Sequence, residues 1–261
     1  MPRIATLNVN GIRAAVRRGF DAWLAESGAD VVCLQEVRAT DEEVPAGLLD
    51  GWHLAHARSA AAGRNGTAVV SRAEPVAVRD TFGDPEFDDA GRWVEVDLDL
   101  AGTRTTVVSV YVPKGGVGTP AQDAKDRFLA RMRTRMAELA RAGAPAVVAG
   151  DLNVAHTTAD LKAWKANQRS AGFLPAEREW YGALLTDGWV DVVREAHPGT
   201  DGPYSWWSWR GKAFDTDAGW RIDVVLATAD VAARMTGARV DRAPSYARRM
   251  SDHAPVVVDL A

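Results

Sequence analysis

Eight short apolar runs, rich in β-branched residues, recur along the whole chain at 4–9, 30–34, 67–71, 93–100, 105–112, 146–149, 222–227 and 254–260. Runs of this length and composition read as strands, and their number commits the chain to sheet. The runs at 93–100 and 105–112 follow each other across Gly102 with no room for a helix. That excludes a purely parallel sheet built from βαβ units. Elsewhere helical stretches intervene. The clearest, at about 121–141, places Phe128, Leu129, Met132, Met136 and Leu139 on one stripe. Its basic residues Lys125, Arg127, Arg131, Arg133 and Arg135 then read mostly as the solvated face. Shorter helices are predicted near 20–26, 176–185 and 191–195, the second opening on Pro175-Ala176-Glu177. The pattern predicts a mixed α/β fold, two packed sheets with helices outside. No repeat, low-complexity tract or linker divides the 261 residues, so a single domain over 1–261 is expected.

Composition removes several classes. With 47% hydrophobic and 25% charged residues the chain has the makings of a core and is not a disordered one. No apolar run approaches the roughly 20 residues that span a bilayer. Met1-Pro2-Arg3 leads straight into a strand run rather than a signal-peptide pattern. The lone Cys33 excludes an intrachain disulfide and a cysteine zinc site, and it sits mid-strand as a small buried side chain. A reducing, cytoplasmic compartment is expected. The net charge of −4 argues against a broadly basic nucleic-acid binder. Local steering is untouched by that total, because carboxylates gathered in a metal site depress it.

Strand propensity does not explain how several runs end. The first ends in Asn8-Val9-Asn10-Gly11, the second in Gln35-Glu36, and the fifth in Tyr111-Val112-Pro113-Lys114. The sixth ends in Gly150-Asp151-Leu152-Asn153, and Ser251-Asp252-His253 precedes the last. Each alone could be a turn. Together they place reactive side chains at strand ends, where sheet-based sites collect. Glu36, Asp151 and Asp252 are hard oxygen donors, with Asn8 and Asn153 adding neutral oxygens. This set suits Mg²⁺ or Mn²⁺ rather than zinc. His253, with Asp223 available to orient it, can contact a phosphate or move a proton. His53, His56 and His197 read as structural, and His156 as the brace of a loop.

These blocks resemble the exonuclease III family of abasic-site endonucleases. The similarity is carried by Asn8-Val9-Asn10-Gly11-Ile12-Arg13-Ala14, Leu34-Gln35-Glu36, Tyr111-Val112-Pro113 and Gly150-Asp151-Leu152-Asn153-Val154-Ala155-His156. Gly172-Phe173-Leu174-Pro175-Ala176-Glu177-Arg178, Gly219-Trp220-Arg221-Ile222-Asp223 and Ser251-Asp252-His253-Ala254-Pro255 complete it in family order. The resemblance implies a DNase I-like four-layer α/β sandwich and cleavage of the backbone 5′ to an abasic site, leaving a 3′-hydroxyl and a 5′-deoxyribose phosphate. It also implies 3′→5′ exonuclease and 3′-phosphatase or phosphodiesterase activity, a duplex DNA partner with abasic sites or 3′-blocked ends, and a monomer. Carried over by position, Glu36 binds the divalent metal with Asn8 and Asp252 nearby. Asp151 orients and deprotonates the attacking water, helped by Asn153, and both also fall in the metal's surroundings, as does His253. His253, held by Asp223, binds the scissile phosphate, and Tyr111 contacts it or assists the leaving group. Trp206, Trp220 and Ile222 line a pocket for the flipped-out sugar, whereas Trp207 and Trp209 read as core. Arg13, Lys114, Asn167 and Arg210 are the expected backbone-phosphate contacts.

Two departures from the family pattern bear on substrate. Lys114 stands where relatives often carry Asn or Gln, and residues 115–121 lack the bulky side chains some relatives insert into the duplex. The balance between endonuclease and exonuclease therefore stays open. A chiefly 3′→5′ exonuclease is the alternative, with a non-DNA phosphoesterase or a DNA-binding module without chemistry further off.

Overall fold

The computed structural model describes all residues, 1–261. In chain order the strands are β1 (Arg3–Asn8), β2 (Val31–Gln35), β3 (His53–Ala57), β4 (Thr67–Ser71), β5 (Ala77–Arg79), β6 (Trp93–Leu100), β7 (Thr103–Tyr111), β8 (Ala146–Asp151), β9 (Val190–Asp191), β10 (Asp223–Ala227), β11 (Met235–Val240) and β12 (Val256–Leu260). The α-helices are α1 (Ile12–Val16), α2 (Phe20–Glu26), α3 (Pro120–Arg141), α4 (Trp164–Asn167), α5 (Pro175–Thr186), α6 (Val192–Ala196) and α7 (Ala229–Ala232). Six strands form each of two mixed sheets, ordered β11-β12-β1-β2-β4-β3 and β5-β6-β7-β8-β10-β9.

Side-chain alternation assigns the layers. Ile4, Cys33 and Val69 of the first sheet face Val96, Val107, Val147 and Val225 of the second, forming the core between sheets. Their neighbours Ala5, Leu7, Val32 and Leu34 point the other way, onto Ile12, Phe20 and Leu24 of α1 and α2. Val108, Val110, Val148 and Val224 likewise pack under Phe128, Leu129, Met132, Met136, Tyr181 and Leu184 of α3 and α5. Both faces of the central strands are therefore covered, which is why their sequences are continuously apolar rather than alternating. The result is the expected four-layer α/β sandwich.

The two long helices begin where proline predicts, at Pro120 and Pro175, each in the first turn where its missing N–H costs nothing. Strands β3, β5, β9 and β11 carry no run in the sequence reading. They lie at or beside sheet edges, are short or interrupted, and draw pairing from a neighbour rather than from their own composition. In β11 the pairing with β12 is bulged between Met235 and Gly237. One close approach sets the position of the site: at Gly150 a Cβ would lie 2.0 Å from the Val110 carbonyl oxygen, so only glycine lets β8 run against β7 immediately before Asp151.

Candidate active site

Strand direction explains why distant residues meet. β1 runs parallel to β2, so Asn8 and Gln35 end side by side and Glu36 follows. β7 runs parallel to β8, bringing Tyr111 beside Asp151. β10 is antiparallel to β8, so its first residue, Asp223, lies opposite Asp151. β12 is antiparallel to β1, and the chain enters it just after His253. Six strands, three from each sheet, thus deliver their polar ends to one rim, where the Asn8 amide reaches across to Asp151 at 2.9 Å.

Asn8 organises the carboxylates. Its Nδ2 donates to Glu36 Oε1 at 2.8 Å as well as to Asp151 Oδ2, while its Oδ1 accepts the Asn10 N–H at 3.0 Å. The Asn8 amide nitrogen faces the site, because two acidic side chains require a donor between them, and its oxygen is turned to the Asn10 backbone. The other carboxylate oxygen of Glu36 is paired with Arg38. Asp252 accepts from Asn10 Nδ2 at 2.8 Å and Trp206 Nε1 at 3.0 Å. Burial opposes ionisation there, but His253 and these two donors hold Asp252 below the usual carboxylate range.

His253 is anchored through Nδ1 to Asp223 Oδ2 at 2.8 Å, and Ser205 donates its hydroxyl to the same oxygen at 2.6 Å. Its Nε2 stands 3.8 Å from Asp151 Oδ2. Burial alone would lower the imidazole; Asp223, Asp151 and Asp252 override it and hold it protonated, at about 10. Burial, reinforced by Asp223, pushes Asp151 up to about 7 against the opposing pull of His253 and the Asn8 amide. The Arg92 guanidinium lies 4.7 Å above the Tyr111 ring. Burial and the nearby Glu36 and Asp151 nevertheless push the phenol far up, so Tyr111 remains a proton donor.

Glu36, Tyr111, Lys114, Asp151, Asn153, Trp206, Trp220, Ile222, Asp252 and His253 line one cleft of about 160 Å³. Asn8 and Asp223 lie buried just beneath it. Trp206 and Trp220 meet edge to face at 6.4 Å, and backbone bridges tie Trp206 to both Trp220 and His253. The other three expected residues lie outside this lining. Arg13 is paired with Glu43 at 2.9 Å. Asn167 uses its side chain locally, donating to the Ala163 carbonyl and accepting from Ser170. Arg210 is exposed on the loop after Trp209. Trp207 is core, packed on Phe214, whereas Trp209 is half-buried between Tyr246 and Arg249. His156 stacks on Tyr181 at 4.6 Å, bracing its loop.

Two buried cations escaped the sequence reading. Arg221, fully buried between Trp220 and Ile222 in the chain, binds Asp160 through Nε at 2.6 Å and Asp191 through Nη2 at 2.8 Å. Lys125, read from helical spacing as part of a solvated face, is also wholly buried and pairs with Glu177 at 2.6 Å. Local sequence carried no signal of either, since the partners lie 30 to 61 residues away or on another helix.

The donor chemistry fits a hard divalent cation. Asp151, Asp223 and His253 offer ligand atoms within 4.8 Å of one another, all buried. Asp223 and His253 pair with each other, and Asp151 shares the Asn8 amide with Glu36, so these two carboxylates are the hard oxygens free to face a cation.

A two-sheet sandwich whose strand ends bring acidic oxygens and a charged His–Asp pair to an apolar slot defines a phosphoesterase site. The model of the endonuclease/exonuclease/phosphatase family matches residues 5–253, and the chain belongs to that family of divalent-metal-dependent hydrolases of phosphodiester bonds. It is 35% identical over 255 residues to an exodeoxyribonuclease of Bacillus subtilis, covering 97% of each chain. It is 30% identical to the DNA repair nuclease APEX1 of Danio rerio, covering 99% of this chain and 82% of that protein. Among solved structures, an AP endonuclease from Archaeoglobus fulgidus superposes with a TM-score of 0.89 at 30% identity, covering 100% of this chain and 99% of that one. A 3′ phosphatase from Neisseria, bound to a product DNA hairpin, does so with a TM-score of 0.88 at 29% identity, covering 100% of both.

Proposed function

We propose that this protein is a DNA repair phosphodiesterase that cuts the backbone 5′ to abasic sites, leaving a 3′-hydroxyl and a 5′-deoxyribose phosphate. Exonuclease and 3′-phosphatase activity accompany this cut at 3′ ends. The single observation that carries the reading is the juxtaposition of Asp151 and the His253–Asp223 pair with the slot of Trp206, Trp220 and Ile222. At about 160 Å³ the cleft is smaller than the roughly 300 Å³ at which ordinary ligand pockets begin. A sugar-phosphate without its base suits that size, and its extrusion from the duplex costs little stacking. The exodeoxyribonuclease relative favours a substantial exonuclease component, as does the loop before α3, which exposes no apolar side chain larger than Val117 to insert into a duplex.

Glu36 and Asp151, with Asp252 alongside, would hold Mg²⁺, or Mn²⁺ in its place. When bound, the cation supplies positive charge that offsets the charge developing on the phosphate. Asp151 accepts a proton from the attacking water, whose oxygen forms the new bond to phosphorus while the bond to the 3′ oxygen breaks. Asn153, whose N–H donates to Asp151 Oδ1 at 2.9 Å, fixes the rotamer of that base. The imidazolium of His253 donates to a non-bridging phosphate oxygen, and Tyr111 donates a proton toward the departing 3′ oxygen. Lys114, at the mouth of the cleft, adds a point charge for the backbone phosphate, with Arg13, Asn167 and Arg210 as outlying candidates. Residues 1–261 act as one catalytic unit, since both sheets contribute to the site; the protein works as a monomer, and its lone buried cysteine suits the cytoplasm.

A duplex with one central tetrahydrofuran site, compared with an intact recessed duplex, tests this. One EDTA-sensitive cut 5′ to the lesion, faster than end digestion, is expected. A ladder from the 3′ end with slow lesion cutting would overturn the substrate ranking while keeping the hydrolytic site.

A further inference from the structure

We infer that Lys125 is a positioning residue for the hydrolytic site, holding the Asn153 backbone in its left-handed conformation and tying it to two neighbouring loops. The inference rests on the hydrolase reading above but concerns a residue to which that mechanism gives no part. Lys125 is fully buried on α3, one turn and a half from the helix start. Its ammonium has three protons and three acceptors: Glu177 Oε1 at 2.6 Å, the Asn153 carbonyl at 2.9 Å and the Lys114 carbonyl at 3.5 Å. Two of these belong to residues lining the cleft. The third, Glu177, turns its other oxygen to the backbone N–H groups of Gly172 and Leu174 at 2.7 and 2.9 Å, and Gly172 also lines the cleft.

Asn153 has particular need of such an anchor. Its φ of +49° lies in the left-handed region, which asparagine tolerates better than other non-glycine residues but which leaves the orientation of its carbonyl to be fixed by neighbours. In that conformation its N–H reaches Asp151 and its side-chain amide donates to the Val112 carbonyl at 2.9 Å. The opposite side of the same residue is fixed by Lys125 and by Gly172, where a Cβ would stand 2.9 Å from the Asn153 carbonyl oxygen. A buried ammonium and carboxylate are a poor means of gaining stability, because desolvation offsets most of their attraction. What this pair supplies is direction: three segments, 112–115, 151–154 and 172–174, are referred to one point on a long helix.

The test separates positioning from bulk stability. Lys125→Met leaves Glu177 buried without its cation and is expected to lower Tm. Lys125→Met with Glu177→Gln removes both charges and keeps an acceptor oxygen for Gly172 and Leu174, so Tm should return toward wild type. The hold on the Asn153 and Lys114 carbonyls stays absent in the double variant. Its kcat should therefore remain about 10- to 100-fold low, the scale expected for a misplaced base, with KM changed less than threefold. Recovery of kcat together with Tm would overturn the proposal and leave the pair a purely structural one. Both duplexes are assayed, so wild-type turnover of the intact duplex alone would fail the abasic reading while the Lys125 comparison proceeds on that substrate. The Val154 amide resonance, in the same peptide group as the Asn153 carbonyl, reads the contact without turnover. It should shift in the double variant, and an unshifted resonance would refute the inference whatever the substrate.

Discussion

Replacing Arg221 by methionine removes the cation from a buried hub and keeps most of its volume. In the native protein Arg221 serves Asp160 and Asp191 together, and its own backbone N–H donates to the Asp160 carbonyl at 2.8 Å. Asp160 would keep Arg194 and the Thr157 N–H, and Asp191 would keep the Tyr181 hydroxyl at 2.7 Å. Because this compensation survives, the loss should lie near the lower end of the roughly 3–5 kcal/mol that breaking a buried ion pair costs. At about 2–4 °C per kcal/mol for a chain of this size, Tm at neutral pH falls by on the order of 10 °C. Acid titration gives an independent check. Burial alone would raise Asp160, but Arg221, the Thr157 N–H and Arg194 hold it at about 2, below the ordinary 3.8. A carboxyl depressed in the folded state contributes stability above its unfolded pKa and loses it as pH falls through the folded one. The contribution, on the order of 2 kcal/mol, is complete above about pH 4 and fades toward pH 2. The stability gap between wild type and Arg221→Met should therefore narrow across that interval. Urea midpoints and Tm measured at pH 7, pH 4 and the lowest pH at which the wild type stays folded would show this. A variant within about 2 °C of wild type at pH 7, or a gap that stays constant into acid, would refute the hub.

Asp151→Asn should lower kcat by about 10³-fold or more, as expected for loss of a general base and its positioning. In EDTA at pH 8 the same variant should melt higher than wild type, since an ionised Asp151 is disfavoured in the fold below its raised pKa of about 7 and still carries that penalty above it; a lower Tm would contradict the burial reasoning. In the wild type kcat/KM should rise with pH through about 7 as Asp151 loses its proton and fall near 10 as His253 loses its own. Added Mg²⁺ favours the charged carboxylate and should move the lower limb toward acid; a profile flat from pH 6 to 8 at limiting Mg²⁺ would remove Asp151 as the base. Asp223→Asn takes the anchoring charge from His253 and should cost about 10²–10⁴ in kcat while shifting the upper limb to lower pH, which a rate profile up to pH 10 resolves.

Much of the candidate site was legible because its residues interrupt a periodic pattern. A run such as 146–149 predicts a strand, and the Asp151 and Asn153 that follow have no place in one. Helix α3 was legible from its apolar stripe, and its observed start at Pro120 differs from the expected one by a single residue. The same periodicity misplaced Lys125, since spacing gives the angle of a residue on a helix but not what stands opposite it. β3 and β11 carried no readable run: His53-Leu54-Ala55-His56-Ala57 is poor in β-branched residues, and Gly237 interrupts the other.

Residue types and local order determined from sequence alone the kind of fold, the strands of its central layers and a set of polar side chains suited to phosphate and a hard cation. Tertiary structure decided which of them meet. Only strand direction sets Asp223 opposite Asp151 and turns the nitrogen of Asn8 toward two carboxylates, and only the fold brings Glu43 to Arg13. The division has a physical cause. Propensity and periodicity act over a few residues, whereas the charge state of Asp151, the grip of Asp223 on His253 and the burial of Lys125 and Arg221 depend on groups brought close by folding, in surroundings where water no longer screens them.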